Sequence, residues 1–313
     1  MRIAAAQARP VWLDPTAGTA TVVDWLTRAA AADVDLVAFP ETFLSGYPVW
    51  LARTGGARFD NPDQKAAYAY YLDAAVTLDG PHLATIRAAV ADLGVFCYLG
   101  ITERVRGTVY CTLVAIDPTR GLVGAHRKLV PTHEERLVWG MGDGNGLRTH
   151  PVGEFRASGL SCWENWMPQA RHALYADGAT LHVSTWPGSV RNTRDITRFI
   201  AMEGRLYALA VGAVLDYADL PADFHCVTPC SRSANPAATT AAPPSRPPTA
   251  RGSSSPSSAR NDSSSPTSTR PWSPGSARTS TPPATTPAPT SSPSPSTEPA
   301  APRRPSWTNN PAG

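Results

Sequence analysis

Val34-Asp-Leu-Val-Ala-Phe-Pro-Glu41 is a short apolar run closed by a proline and followed at once by a glutamate. A run of that length, rich in branched residues and ended by a breaker, reads as a buried strand. Upstream, Arg2–Gln7 reads as a first strand, and Asp14-Pro15-Thr16 as the turn and cap of a helix over about Thr19–Ala32. Strand, helix and strand in so short a span imply a parallel pair joined by a crossover. Glu41 then lies at the C-terminal end of its strand, where α/β folds collect their chemistry.

Further on the pattern alternates. Thr42–Phe59, rich in Gly, Pro and aromatics, reads as a loop near Glu41, and Gln64–Thr77 and Pro81–Leu93 read as helices. Val95–Thr102 and Val109–Ile116 are strands hinged at Arg106-Gly107, and Gly121–Arg127 is a strand that delivers Lys128. Pro131–Arg148 is a polar loop whose glycines, Gly140–Gly146, read as flexible backbone; they lack the Gly-Lys-Ser/Thr ending of a phosphate loop. Pro151–Cys162 gives two short strands split near Arg156-Ala157. Pro168–Ala176 is helical, Thr180–Ser184 a strand, Asp195–Tyr207 a helix and Ala208–Leu215 a strand. Parallel crossovers mixed with antiparallel hairpins fit a layered α/β sandwich, two sheets inside and helices outside.

Charge and composition divide the chain in two. Beyond Phe224 there are eight arginines, no lysine, and only Asp262 and Glu298, a balance of +6 against a whole-chain charge of +3. Residues 1–224 therefore carry −3, and the basic pI is no argument for nucleic-acid binding by the folded part. From His225 to Gly313 there is one valine, no Leu, Ile, Met, Phe or Tyr, and 20 of the 32 prolines. Such a segment cannot bury enough apolar surface to offset about 1–2 kcal/mol per residue of backbone entropy, so 225–313 is expected to be disordered beside a folded domain at 1–224. No apolar run is long enough to span a bilayer, and the chain opens directly on a strand without a basic-then-apolar leader, giving the expectation of a cytoplasmic protein. Five cysteines in no framework spacing fit reduced thiols. Cys226-Val-Thr-Pro-Cys230 has metal-like spacing but no second pair, and reads as accident.

Three chemically able residues now stand at strand ends: Glu41, Lys128 and Cys162. A carboxylate can take a thiol proton, an ammonium can stabilise charge on a reacting nitrogen or oxygen, and a thiolate attacks carbon. Each has an ordinary reading too. A cysteine after a strand is more often buried packing, a glutamate after proline a helix cap, and a strand-end lysine a solvated charge.

The surrounding text alters that balance. Phe39-Pro-Glu-Thr-Phe-Leu-Ser-Gly-Tyr-Pro48, His126-Arg-Lys-Leu-Val-Pro-Thr-His-Glu-Glu-Arg-Leu-Val-Trp-Gly140 and Gly159-Leu-Ser-Cys-Trp-Glu-Asn-Trp-Met-Pro168 resemble, in order, the glutamate, lysine and cysteine segments of the nitrilase superfamily of carbon–nitrogen hydrolases. The Cys-Trp-Glu pattern and Glu-Arg-x-x-Trp-Gly-x-Gly-Asp-Gly are more similar to its nitrilase branch than to its amidase or carbamoylase branches. The resemblance implies a four-layer α-β-β-α sandwich over roughly 1–224. It makes Glu41 the general base, Lys128 the stabilising cation and Cys162 the nucleophile, with Glu135 a second glutamate that positions substrate and thiol. Glu134 is the bland neighbour, facing water. Tyr47, Trp163, Trp186 and His133 are expected along the substrate pocket, although packing is as good a reading for Trp186. The implied reaction is hydrolysis of a small organic nitrile to a carboxylate and ammonia, with an amide or cyanide as the alternative substrate. No metal, cofactor, nucleic acid or membrane is implied, and family members tend to form homo-oligomers.

The resemblance breaks off near Phe224, where family members continue with more apolar strands. The sandwich is therefore expected to be incomplete, with open sheet edges. The abrupt change, with a composition typical of GC-rich codons read out of register, points to a shifted reading frame after about Phe224. A genuine Pro/Ser/Thr-rich linker or interaction tail is the alternative, as is an inactive remnant of the enzyme.

Overall fold

The Asp14 carboxylate accepts the N–H groups of Thr16 (3.0 Å) and Ala17 (2.9 Å). That cap starts helix α1 (Pro15–Ala31) at the proline, a turn earlier than its apolar periodicity indicates. The structure, a computed structural model, describes residues 1–224; the expectations for the segment beyond, including Cys226 and Cys230, lie outside the described residues.

Strands β1 (Ile3–Ala5) and β2 (Leu36–Ala38) flank α1 and pair in parallel, as the crossover requires. The Thr42–Phe59 segment is not all loop: it contains a one-turn helix, α2 (Trp50–Thr54), ended by Gly55 at φ +71°. Helices α3 (Pro62–Asp73) and α4 (Pro81–Leu93) follow, then the hairpin of β3 (Phe96–Val105) and β4 (Thr108–Asp117), and β5 (Gly121–Arg127). Together they make a five-stranded sheet in the order β1-β2-β3-β4-β5.

The second sheet has four strands in sequence order: β6 (His150–Val152), β7 (Phe155–Ser161), β8 (Leu181–Trp186) and β9 (Tyr207–Gly212). The break between β6 and β7 falls at Gly153-Glu154, where Gly153 adopts φ +56°, rather than at Arg156-Ala157. Helix α5 (Pro168–Ala176) precedes β8. Helix α6 (Val190–Gly204) begins five residues before the expected Asp195 and ends at Arg205, whose φ of +52° turns the chain so that Tyr207 opens β9 instead of closing the helix.

The strands alternate between two cores. Leu36, Ala38, Phe96, Tyr98, Leu113 and Ala115 of the first sheet meet Ala157, Leu181, Val183, Leu209 and Val211 of the second. On its other face the first sheet packs Val37, Cys97, Leu99 and Val114 against α1 and α4. The second sheet packs against α6 through Ala208 and Ala210 and against α5 through Leu160. This is the expected α-β-β-α layering. Among the described residues β9 has no neighbour on its outer edge. No helix among them is long and apolar enough to cross a membrane.

Candidate active site

Glu41, Lys128 and Cys162 each follow the last residues of a strand, β2, β5 and β7 respectively, and the packing of the two sheets brings those ends together. The chain carrying Glu41 crosses directly over β3 at Gly100. A Cβ there would lie 2.2 Å from the Pro40 carbonyl oxygen and 2.5 Å from the Thr42 nitrogen, so only glycine admits the crossing. Lys128 is tied to β4 by its N–H, which donates to the Cys111 carbonyl at 2.8 Å. Cys162 leaves β7 with φ +52°, a left-handed conformation that costs a non-glycine residue about 1–2 kcal/mol and turns its side chain out of the strand.

The Lys128 ammonium sits between two carboxylates, donating to Glu41 Oε1 at 2.8 Å and to Glu135 Oε2 at 2.7 Å. Carboxylate oxygens of Glu41 and Glu135 and the Cys162 sulfur all lie within 4.8 Å of one another. Glu135 has its oxygens fully engaged, Oε1 accepting from the Tyr47 hydroxyl (2.8 Å) and Oε2 also from the Thr132 N–H (2.6 Å). By contrast, Glu41 Oε2 is buried without a protein partner among the described residues.

Burial dominates the electrostatics. It pushes the Glu41 carboxyl up to about 7, Lys128 pulling against it and Glu135 adding to it. Burial also opposes the Lys128 charge, but the neighbouring acidic groups, Glu41 foremost and Glu135 with it, outweigh it and hold the ammonium well above its ordinary range. The Cys162 thiol is pushed up by burial, with Lys128 opposing, so it rests as a thiol. A protonated, partly buried thiol beside a carboxylate poised near neutrality is suited to proton transfer coupled to attack on carbon. The three donor atoms could by distance ligate a metal, but the Lys128 ammonium already holds the cation's place between the carboxylates.

Residues 2–227 match the carbon-nitrogen hydrolase family. The chain belongs to that family. A nitrilase from Bradyrhizobium diazoefficiens is 37% identical over 201 residues, covering 64% of this chain and 63% of that protein. An aliphatic nitrilase from Sinorhizobium fredii is 34% identical, covering 70% and 71%. The chain thus spans a little under two thirds of the first relative's length. Among solved structures, an amidase from Nesterenkonia sp. superposes with a TM-score of 0.53 at 19% identity, covering 68% of this chain and 76% of the amidase. A carbon-nitrogen hydrolase superfamily protein from Xanthomonas campestris, with an arsenic adduct in its active site, does so at 0.52 and 22%, covering 69% and 76%. These structural likenesses concern the fold.

In this member of the family the cysteine turn is held from below by two neighbours that sequence reasoning passed over. Glu164, wholly buried, accepts from His126 Nε2 (2.9 Å), from the Leu129 N–H (2.8 Å) and from the Ser161 N–H (3.3 Å). It therefore ties the lysine segment to the cysteine segment. Asn165 donates to the carbonyls of Leu160 (3.2 Å) and Cys162 (2.9 Å), while its Oδ1 accepts from His182 Nε2 (2.9 Å) and Ser184 (2.7 Å). The spacing Ser161-x-x-Glu164 was a readable signal, since a glutamate three residues after a serine reaches back to cap a turn.

The remaining expected residues scatter. Tyr47 joins the cluster through Glu135. Trp186 is buried in a core with Ile196 and Ile200 on which Cys162 packs, which is the packing reading. Trp163 is half exposed and stacks on Trp166 at 5.8 Å. His133, expected at the pocket edge, instead turns outward with 82% of its side chain exposed and pairs with Glu134 at 2.6 Å, because its φ of +50° starts the turn pointing to solvent. The glycine loop is not slack either. A Cβ at Gly142 would lie 2.1 Å from the Arg127 carbonyl oxygen, and the Gly142 N–H donates to the Lys128 carbonyl at 2.9 Å, so the loop lies tight against β5.

Proposed function

We propose that the chain hydrolyses a small organic nitrile to its carboxylic acid and ammonia, with Cys162 as nucleophile, Glu41 as general base, Lys128 as stabilising cation and Glu135 as the group that positions Lys128 and the substrate. The observation that carries the reading is the buried Lys128 ammonium clamped at 2.8 and 2.7 Å between two carboxylates beside the Cys162 thiol. The nitrilase names of the curated relatives at 34–37% identity support a nitrile over an amide.

In the proposed cycle Glu41 takes the thiol proton as the sulfur attacks the nitrile carbon, and the proton passes to the nitrile nitrogen. The product is a thioimidate. Water, deprotonated by Glu41, adds to give a tetrahedral species whose developing charge Lys128 stabilises. Glu41 passes that first water proton to the nitrogen, and then carries the hydroxyl proton of the tetrahedral species to it as well; the C–N bond breaks, ammonia leaves and a thioester remains, which a second water hydrolyses to the acid, restoring the thiol. A base near pKa 7 suits both directions of transfer at neutral pH. Free thiols at Cys97, Cys111 and Cys162 fit a reducing, cytoplasmic setting for this chemistry. Self-association, a family tendency, belongs to the same proposal.

Ammonia release measured in parallel from a nitrile, the corresponding amide and cyanide tests the substrate class. The nitrile is expected to give the largest kcat/KM, with acid as the product. Faster turnover of the amide would transfer the reading to an amidase, and no release from any of the three would sink the proposed activity.

A further inference from the structure

The two oxygens of Glu41 are not equivalent. Oε1 accepts from Lys128 Nζ at 2.8 Å and from the thiol of Cys111 at 3.4 Å, whereas Oε2 has no partner among the described residues. Cys111 lies on β4, is 1% exposed, and packs in the cluster of Val109, Trp139 and Tyr71. Its carbonyl holds the Lys128 N–H at 2.8 Å, so one residue touches both the lysine backbone and the glutamate side chain. We propose that Cys111 is a positioning residue for Glu41: its thiol and Lys128 together occupy Oε1 and leave Oε2 as the oxygen that takes the Cys162 proton. The inference rests on the reading of Glu41 as the base.

The direction of the hydrogen bond follows from its surroundings. Burial, then the Glu41 charge, raises the Cys111 thiol well above its ordinary range, so it stays protonated and donates. Cys111 is therefore a donor rather than a second nucleophile, although its sulfur lies 3.4 Å from the base. The titratable groups facing Glu41 are Lys128 after β5, Glu135 in the turn beyond it, Cys162 after β7, Tyr47 in the loop after β2, Tyr71 on α3, and Cys111 on β4. A donor to the carboxylate stabilises its ionised form. Removing that donor while the other groups stay in place raises the pH at which Glu41 ionises.

Two substitutions separate hydrogen bonding from packing: Cys111→Val fills similar space without a donor, and Cys111→Ser keeps a donor. The readout is the pH dependence of Cys162 alkylation by iodoacetamide, followed by peptide mass on the full chain, because it requires Glu41 but no turnover. Ammonia release from a nitrile is recorded alongside. The rising limb of Cys162 alkylation is expected to move up by about half a pH unit in Cys111→Val and to stay at or below its original position in Cys111→Ser. If valine disturbs the packing, Cys111→Ala carries the same expectation. Coincident limbs in the parent, Val and Ser chains, or equal upward shifts in Val and Ser, would overturn the proposal. Failure of the nitrile reading looks different: no ammonia from any chain while the alkylation limb still moves.

Discussion

At its ordinary pKa Glu41 would be a poor base, and its burial is what suits it to the proposed role. If it is the base, kcat/KM should rise with pH through about 7 and then level, since only the ionised form accepts the thiol proton. The sign follows from the direction of the shift: burial disfavours the charge, so acidification removes the active form earlier than for an exposed glutamate. A profile flat down to pH 5 would contradict the assignment. Glu41→Gln keeps the shape and loses the base, and is expected to lower kcat about 10²–10⁴-fold with the protein still folded by circular dichroism. Glu41, Lys128 and Cys162 were legible because each stands at a strand end inside its own motif. Cys111 was not, because a cysteine inside an apolar strand looks the same whether its thiol meets carbon or a carboxylate.

At the scale of elements, the site depends on a few backbone approaches. Gly100→Ala would push a methyl group into the Pro40–Thr42 backbone, and is expected to destabilise the protein by about 3 kcal/mol and to displace Glu41. Urea unfolding and ammonia release measured on the same variant check both parts. Glu164→Gln leaves one acceptor oxygen for the three donors His126, Leu129 and Ser161, and places an amide N–H where the other oxygen accepted. A loss of about 1–3 kcal/mol is expected, together with a lower rate of Cys162 alkylation; an unchanged rate would show that Glu164 does not hold the cysteine turn. Both turns bearing the site are built alike. Thr132 and Ser161 each donate an N–H to the glutamate three residues on, Glu135 at 2.6 Å and Glu164 at 3.3 Å. That repetition could be read from Thr132-x-x-Glu135 and Ser161-x-x-Glu164. What hydrophobic patterning could not give was helix onset, as at α6, where the apolar face begins after the first turn, or which face of the lysine loop His133 would take.

For the whole molecule, the strand-by-strand reading located both sheets and their helices because apolar alternation and turn residues agree along residues 1–224. How the two sheets oppose one another was legible only through the family resemblance, since contacts such as Phe96 with the second sheet's strands leave no local signal. The match to the carbon-nitrogen hydrolase family ends at residue 227, where the composition turns to Pro, Ser, Thr and Arg. β9 presents an unpaired outer edge among the described residues, and such edges invite association between chains. If the segment after Phe224 is the product of a shifted frame, the chain as written is expected to be less soluble or less active than a version carrying the alternative frame there. Soluble yield and ammonia release from the two proteins, expressed in parallel, check this. Equal yields and rates would sink it.

The proposed reaction begins with attack of Cys162 on the nitrile carbon, helped by Glu41 and Lys128. Its most direct test is the mass of the Cys162 peptide after brief exposure of the full chain to an electrophilic nitrile and an acid quench. A covalent adduct is expected on Cys162, absent in Glu41→Gln and in Lys128→Ala. An unmodified Cys162, or an adduct that forms equally well in both variants, would contradict it.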